Sequence, residues 1–152
     1  MGLKEQLTTD IQRSMKSNDT LRLETLRSLR AALLEKEIEL RGTGKSVGPE
    51  DELAVLNGAA KKRRESIEMF AQGGRTDLVQ QETAELAIIQ ELLPAQMTAD
   101  EISAVIRSAV AAAGASSMSD FGRVMPVVMK AVKGRADGKS VQELVRKALG
   151  AS

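Results

Sequence analysis

Two aromatic side chains, Phe70 and Phe121, are all that 152 residues offer a hydrophobic core. With no Trp or Tyr, the interior has to be built from Leu, Ile, Val, Met and Ala. Those residues mesh well across helix interfaces but give a β-sandwich or barrel little of its usual bulk. Their spacing points the same way. Leu3, Leu7, Ile11 and Met15 recur every four residues and predict a short amphipathic helix. Leu21, Leu26, Leu29, Leu33, Leu34 and Ile38 predict a second, longer one that ends before Gly42-Thr43-Gly44. The Gly-rich segment 41–48 reads as a mobile loop.

Pro49-Glu50-Asp51-Glu52 is a helix start, with proline in the first turn and acids at the positive end of the dipole. Leu53, Leu56, Ala60, Ile67 and Phe70 carry that third helix towards Gly73-Gly74. A fourth runs from about Thr76-Asp77 to Pro94, which disfavours α geometry in the residue before it. Thr98 and Glu101 have the spacing of a capping box for a fifth helix bearing Ile102, Val105, Ile106, Ala109 and Val110. Ser117 and Asp120 have the spacing of a second box, ahead of Phe121, Val124, Met125, Val128 and Met129. Either Ser140 with Glu143, or Asp137, starts a seventh helix with Leu144, Val145 and Leu149. The methionines at 118, 125 and 129 read as core filler. No stretch sustains strand alternation. The expected fold is all-α: a four-helix N-terminal domain over residues 1–94, then a compact three-helix domain over 98–150.

With no Cys and no His, thiol chemistry, disulfides, histidine base catalysis and the common zinc sites are excluded. Glu82, Glu85, Asp120, Asp137 and Glu143 show no spacing that pairs a buried acid with a base, and no nucleophile–base arrangement is legible. No catalytic residue, metal or cofactor is expected. No run of 18 apolar residues occurs, so no membrane span is expected. Met1 to Asp10 lacks the apolar region of a secretion signal, which makes the cytoplasm the expected location.

Charge is unevenly shared. Residues 1–97 hold 14 Lys/Arg and 16 Asp/Glu, whereas 98–152 hold 8 and 5. A small basic module beside a slightly acidic one fits local contact with an anion. Within that module, Lys133-Gly134-Arg135-Ala136-Asp137-Gly138-Lys139 is a helix–helix corner carrying three basic residues. Gly134 stands where a helix-terminating glycine turns left-handed, and Gly138 permits another tight bend. The charges are open to two readings: a solvated turn, or Lys133, Arg135 and Lys139 converging on a phosphate with help from N–H groups that start the seventh helix. It is not a P-loop, because Gly134 to Gly138 is one residue short of the GxxxxGK spacing.

The run Lys61-Lys62-Arg63-Arg64 fans round one helical turn. Either Lys61 and Arg64 pair with Glu65 and Glu68 a turn away, or the run contacts a phosphate backbone. No aromatic residue interleaves it, which leaves shape and backbone recognition as the nucleic-acid mode. Pro126 lies inside the sixth helix, where it removes one hydrogen bond and is expected to kink the helix near Gly122 and Arg123.

Several of these residues together resemble a known family. Arg63-Arg64-Glu65-Ser66, Leu93-Pro94 with Gln96, Gly114-Ala115-Ser116-Ser117-Met118 with Asp120, Gly122, Val124 and Met125, then Lys133 to Gly138 and Leu144-Val145, look like the YqeY (GatB/YqeY) family. The likeness runs from Leu3 to Leu149. It implies an α-helical N-terminal domain and a three-helix C-terminal domain similar to the tail of the tRNA-dependent amidotransferase B subunit. That tail grasps tRNA while the chemistry lies in a separate domain, so no catalytic residue carries over. The resemblance implies a non-catalytic tRNA-binding accessory protein. The alternatives are a component of a glutamine-dependent carbon–nitrogen ligase of the tRNA-amidotransferase type, and a protein-interaction module. The expected partners are tRNA or an enzyme that charges or amidates it. The expected nucleic-acid-binding residues are Arg123, Lys130, Lys133, Arg135 and Lys139, with Lys61, Lys62, Arg63 and Arg64. Gly134, Asp137 and Gly138 shape the corner. The chain departs from the family pattern at Pro126, where glycine is common, and at Lys130, where proline is common.

Overall fold

The computed structural model describes residues 2–150. Among them there are seven α-helices and a single 3-10 turn, with no strand: α1 (Leu3–Lys16), α2 (Thr20–Arg41), α3 (Pro49–Gln72), α4 (Thr76–Leu92), α5 (Ala99–Ala113), the turn Met118–Asp120, α6 (Phe121–Val132) and α7 (Gly138–Ala148). The chain divides into two compact units, Met1–Leu93 and Pro94–Ser152.

In the N-terminal unit α1 packs on α2, α2 on α3 and α4, and α3 most extensively on α4. Its core is aliphatic: Leu3, Leu7, Ile11, Leu26, Leu29, Leu33, Leu56, Ala60, Ile88, Ile89 and Leu93. Two local devices start these helices. The Asp19 carboxylate accepts from the Arg22 amide at 3.1 Å, and Asp51 accepts from Gly48 N at 2.9 Å beside Pro49. A longer tie joins the first turns of α1 and α3, where Leu3 N donates to Glu52 Oε2 at 2.6 Å.

Two apolar expectations are corrected. The α1 stripe continues to Ser14, which is buried, and leaves Met15 53% exposed. At 100° per residue, position 14 comes back to the azimuth of Leu3, whereas position 15 has turned about 120° away. The same drift carries Leu34 and Ile38 off the buried face of α2, where they are 50% and 57% exposed. Thr25 joins the buried face instead, its hydroxyl satisfied by donating to Leu21 O at 2.8 Å.

The C-terminal unit closes α5, α6 and α7 around Ile102, Ile106, Ala109, Val124, Val128, Val132, Val141, Val145 and Leu149. Met125, Met129 and Phe121 pack half-buried against that cluster, while Met118 stays 39% exposed. Thr98 caps α5 by accepting from Glu101 N at 3.2 Å, and the Glu101 carboxylate accepts from the Thr98 hydroxyl. Gly114, at φ +62°, ends the helix left-handed. The 3-10 turn is held by Asp120, whose carboxylate accepts from Ser116 N at 2.9 Å and Ser117 N at 3.3 Å. The Ser116 bond first, then the Arg123 guanidinium and the Ser117 bond, hold the Asp120 carboxyl below its ordinary value. The α6 helix runs unbroken through Pro126.

Candidate nucleic-acid interface

The turn between α6 and α7 follows from its backbone angles. Lys133 (φ −50°, ψ 123°) and Gly134 (φ +77°) are the central residues of a type II β-turn, closed by Arg135 N donating to Val132 O at 2.8 Å. Such a turn needs a positive φ at its third residue, which is the position Gly134 fills. Gly138 needs no such freedom: it is the first residue of α7 and is absent from the left-handed glycines. Its anticipated role as a second tight bend is therefore corrected. Asp137 is the N-cap residue of α7, and its carboxylate accepts from the Ser140 hydroxyl at 3.1 Å. The start of α7 thus already carries an anion of the chain's own.

A strap of residues 95–97 binds this corner. Met97 N donates to Arg135 O at 2.7 Å, Gln96 Nε2 to Gly134 O at 3.1 Å, and Arg135 Nε to Ala95 O at 2.9 Å. Arg135 also reaches Glu101 at 3.9 Å. Its guanidinium is accordingly turned onto the strap, while Lys130, Lys133 and Lys139 are exposed. Arg123 is 60% exposed, with contacts to Asp120 Oδ1 at 2.6 Å and Ala113 O at 3.3 Å. Of the expected binding residues in this unit, Arg123 and Lys130 on α6 and Lys133 and Lys139 at the corner are exposed, as are Arg107, Arg146 and Lys147 elsewhere in it. Arg135 anchors backbone. Replacing Arg135 by Ala is expected to destabilise the C-terminal unit by about 1 kcal/mol, since one charge-assisted bond to an exposed backbone carbonyl is lost. Hydrogen exchange at the Met97 amide, which should quicken, checks it.

In the N-terminal unit the basic run separates. Lys61 and Lys62 are exposed and form no salt bridge with any described residue. They line an open cleft of about 470 Å³ between α2 and α3, with Ser28, Ala32, Ala54 and Gly58. Arg63 also borders this cleft, but its guanidinium reaches towards α4. Its Nε lies 3.1 Å from Glu85 and 3.6 Å from Glu82, and the three side chains are 15%, 13% and 19% exposed. Neither approach has hydrogen-bond geometry at Nε. Arg64 is half-buried and has a partner of its own. The reading that Glu82 and Glu85 pair with no base is thus corrected. Burial first, and the neighbouring Glu85 charge second, push the Glu82 carboxyl above its ordinary value against the pull of Arg63.

Two features escaped the sequence reading. Nothing in the spacing of residues 95–97 shows that they bind the turn, although Gln96 is among the residues that carry the family resemblance. The Arg146 guanidinium stands 5.4 Å over the Phe121 ring, a pairing that needs α6 and α7 to be docked first. Among the described residues no cluster of three or more His, Cys, Asp or Glu is arranged to hold a metal. No helix among them is long and apolar enough to cross a membrane.

A family model described as "Yqey-like protein" matches residues 4–149. Among curated relatives, "Altered inheritance of mitochondria protein 41, mitochondrial" of Eremothecium gossypii is 37% identical over 92 residues, covering 59% of this chain and 48% of that protein. Its namesake in Lachancea thermotolerans is 34% identical over 90 residues, 57% of this chain and 46% of that protein. The match thus spans about half the length of these two relatives. The protein of the same name in Pyrenophora tritici-repentis is 30% identical over 149 residues, 95% of this chain and 80% of its own.

Proposed function

Because the chain belongs to the Yqey-like protein family, we propose that it is a non-catalytic accessory protein that binds tRNA through backbone shape and phosphate contacts. The observation that supports this reading most is the outer face of the C-terminal unit. Arg123, Lys130, Lys133 and Lys139 are exposed there, on rigid helices or at a clamped turn, and no aromatic residue stands among them to stack a base. Lys61 and Lys62 supply a second basic point in the N-terminal unit. Arg63 and Arg135 drop to structural roles in this account, and Arg64 adds nothing to it.

The resemblance of the three-helix unit to the amidotransferase B-subunit tail supplies tRNA as the polyanion, in preference to DNA. The reading requires a compartment that holds tRNA. The cytoplasm expected from the sequence satisfies that, as does the mitochondrion in which the relatives' names put those proteins.

The test compares the full chain with its Lys130→Ala/Lys133→Ala/Lys139→Ala variant in equilibrium tRNA binding. The variant should bind weaker at every salt concentration, and its plot of log affinity against log salt should be shallower by about 2. All three lysines are exposed, so the variant's helicity should be unchanged. Equal affinities and equal slopes would remove the C-terminal unit from the interface.

A further inference from the structure

On α2, Glu24, Arg27, Ala31, Leu34, Ile38 and Arg41 follow one another at alternating intervals of three and four, and all six are exposed. That spacing makes one straight seam, the a and d positions of a heptad repeat. It runs along the side of the helix away from the buried Leu26, Leu29 and Leu33. At its middle Leu34 and Ile38 are 50% and 57% exposed, and the small Ala31 beside them lets another backbone come close. Packing against α1, α3 and α4 already holds α2 helical, so a helix laid on the seam does not have to fold it first.

The flanks decide which helix fits. Arg30 precedes Ala31 and Glu35 follows Leu34, so the two stand about 140° apart, one on each side of the seam. Both are exposed, and neither has a salt bridge to a described residue. In a parallel two-stranded coil, the residue before a on one strand lies against the residue five places on, just after d, of the other. Arg30 of each copy then meets Glu35 of the other, twice by symmetry. The neighbouring flank pairs are Leu23 with Ser28 and Glu37 with Gly42, which set no like charges together. Ile38 at a with Leu34 at d is the choice that favours two parallel strands. Where Arg27 meets Arg27, Glu24 of the other copy stands one layer away to offset the repulsion. An antiparallel pair would set each flank against its own kind, and the flank of Ser28, Glu35 and Gly42 holds no cation.

We infer that a second copy of this chain docks on α2, seam to seam in parallel register, with reciprocal Arg30–Glu35 pairs. Three apolar layers bury well under the ~1,200 Å² of a standard interface, so the dimer is weak and depends on concentration. It stands apart from tRNA binding.

The experiment is sedimentation equilibrium of the full chain freed of nucleic acid. Between about 10 µM and about 1 mM, the mean mass should climb from 16.3 kDa towards twice that. Arg30→Glu and Glu35→Arg each set like charges together at both pairs, and each should weaken association about tenfold. Mixed in equal amounts, the two variants complement one another and should regain association. Both positions are exposed and both changes exchange good helix formers, so the fold is expected to survive them. A mass of 16.3 kDa at every concentration would overturn the inference. Association unmoved by either reversal would overturn it by placing the contact elsewhere. Association lost in each variant and not regained in the mixture would overturn the parallel pairing.

Discussion

Arg63→Met is expected to destabilise the N-terminal unit by about 2–3 kcal/mol. The substitution keeps most of the side-chain volume and removes the charge. What remains between α3 and α4 is a pair of carboxylates, Glu82 and Glu85, one helical turn apart and 19% and 13% exposed. Removing one partner of a buried pair is costlier than the pair is worth, because the other charge stays behind without compensation. Residual solvent access keeps the figure below that for a fully enclosed pair. Denaturant unfolding of the full chain, with hydrogen exchange in α3 and α4 as the local readout, measures it. Adding Glu82→Gln and Glu85→Gln should return most of the loss. A loss that persists in the triple variant would mean that Arg63 acts through packing of its stem.

This cluster also sets a pH dependence. The folded chain holds the Glu82 proton more tightly than the unfolded chain does. Its contribution to stability is therefore full below the ordinary Glu value and declines as the pH rises through the raised one. Glu82→Gln should flatten that decline.

The second large effect belongs to the corner. Gly134→Val is expected to destabilise the C-terminal unit by about 2–3 kcal/mol. The position is buried and left-handed, at φ +77°. A β-branched residue there faces both the backbone penalty and crowding beneath the strap, and a shift of Gly134 also moves the carbonyl that Gln96 binds at 3.1 Å. Gly134→Ala should cost about 1 kcal/mol, as the left-handed conformation alone requires. Gly138→Ala is the control: its Cβ would meet Met129 Cε at 3.7 Å, an ordinary contact, and should change stability by no more than about 0.5 kcal/mol. A three-helix unit of this size has little stability to spare, so the Val variant should leave α5–α7 open to exchange at moderate temperature. Equal effects at positions 134 and 138 would contradict the type II turn.

What the sequence made legible was local. The all-α class follows from the near-absence of aromatics and from apolar residues at helical spacing. Thr98 as a cap, Pro49 as a start and Gly134 as a left-handed stop each express a preference confined to four or five residues, and the structure keeps all three. Errors came where an azimuth had to be carried over many turns: a stripe read at intervals of four admitted Met15, and the apolar run of the second helix admitted Leu34 and Ile38, all exposed. Side-chain direction was the other gap. Four consecutive basic residues look alike in sequence, yet Arg63 faces two carboxylates on α4 while Lys61 and Lys62 face solvent. That difference depends on a helix docking from about twenty residues away, which no spacing within the run encodes. The strap over Arg135 is non-local for the same reason, joining segments 40 residues apart.

The most direct test of the central claim is the affinity of the full chain for tRNA across a salt series. Contacts from the four named cations of the C-terminal unit together with Lys61 and Lys62 predict micromolar or tighter binding at low salt, and log affinity that falls with log salt at a slope of about −4 to −5. No binding by micromolar protein at low salt, or binding indifferent to salt, would contradict it.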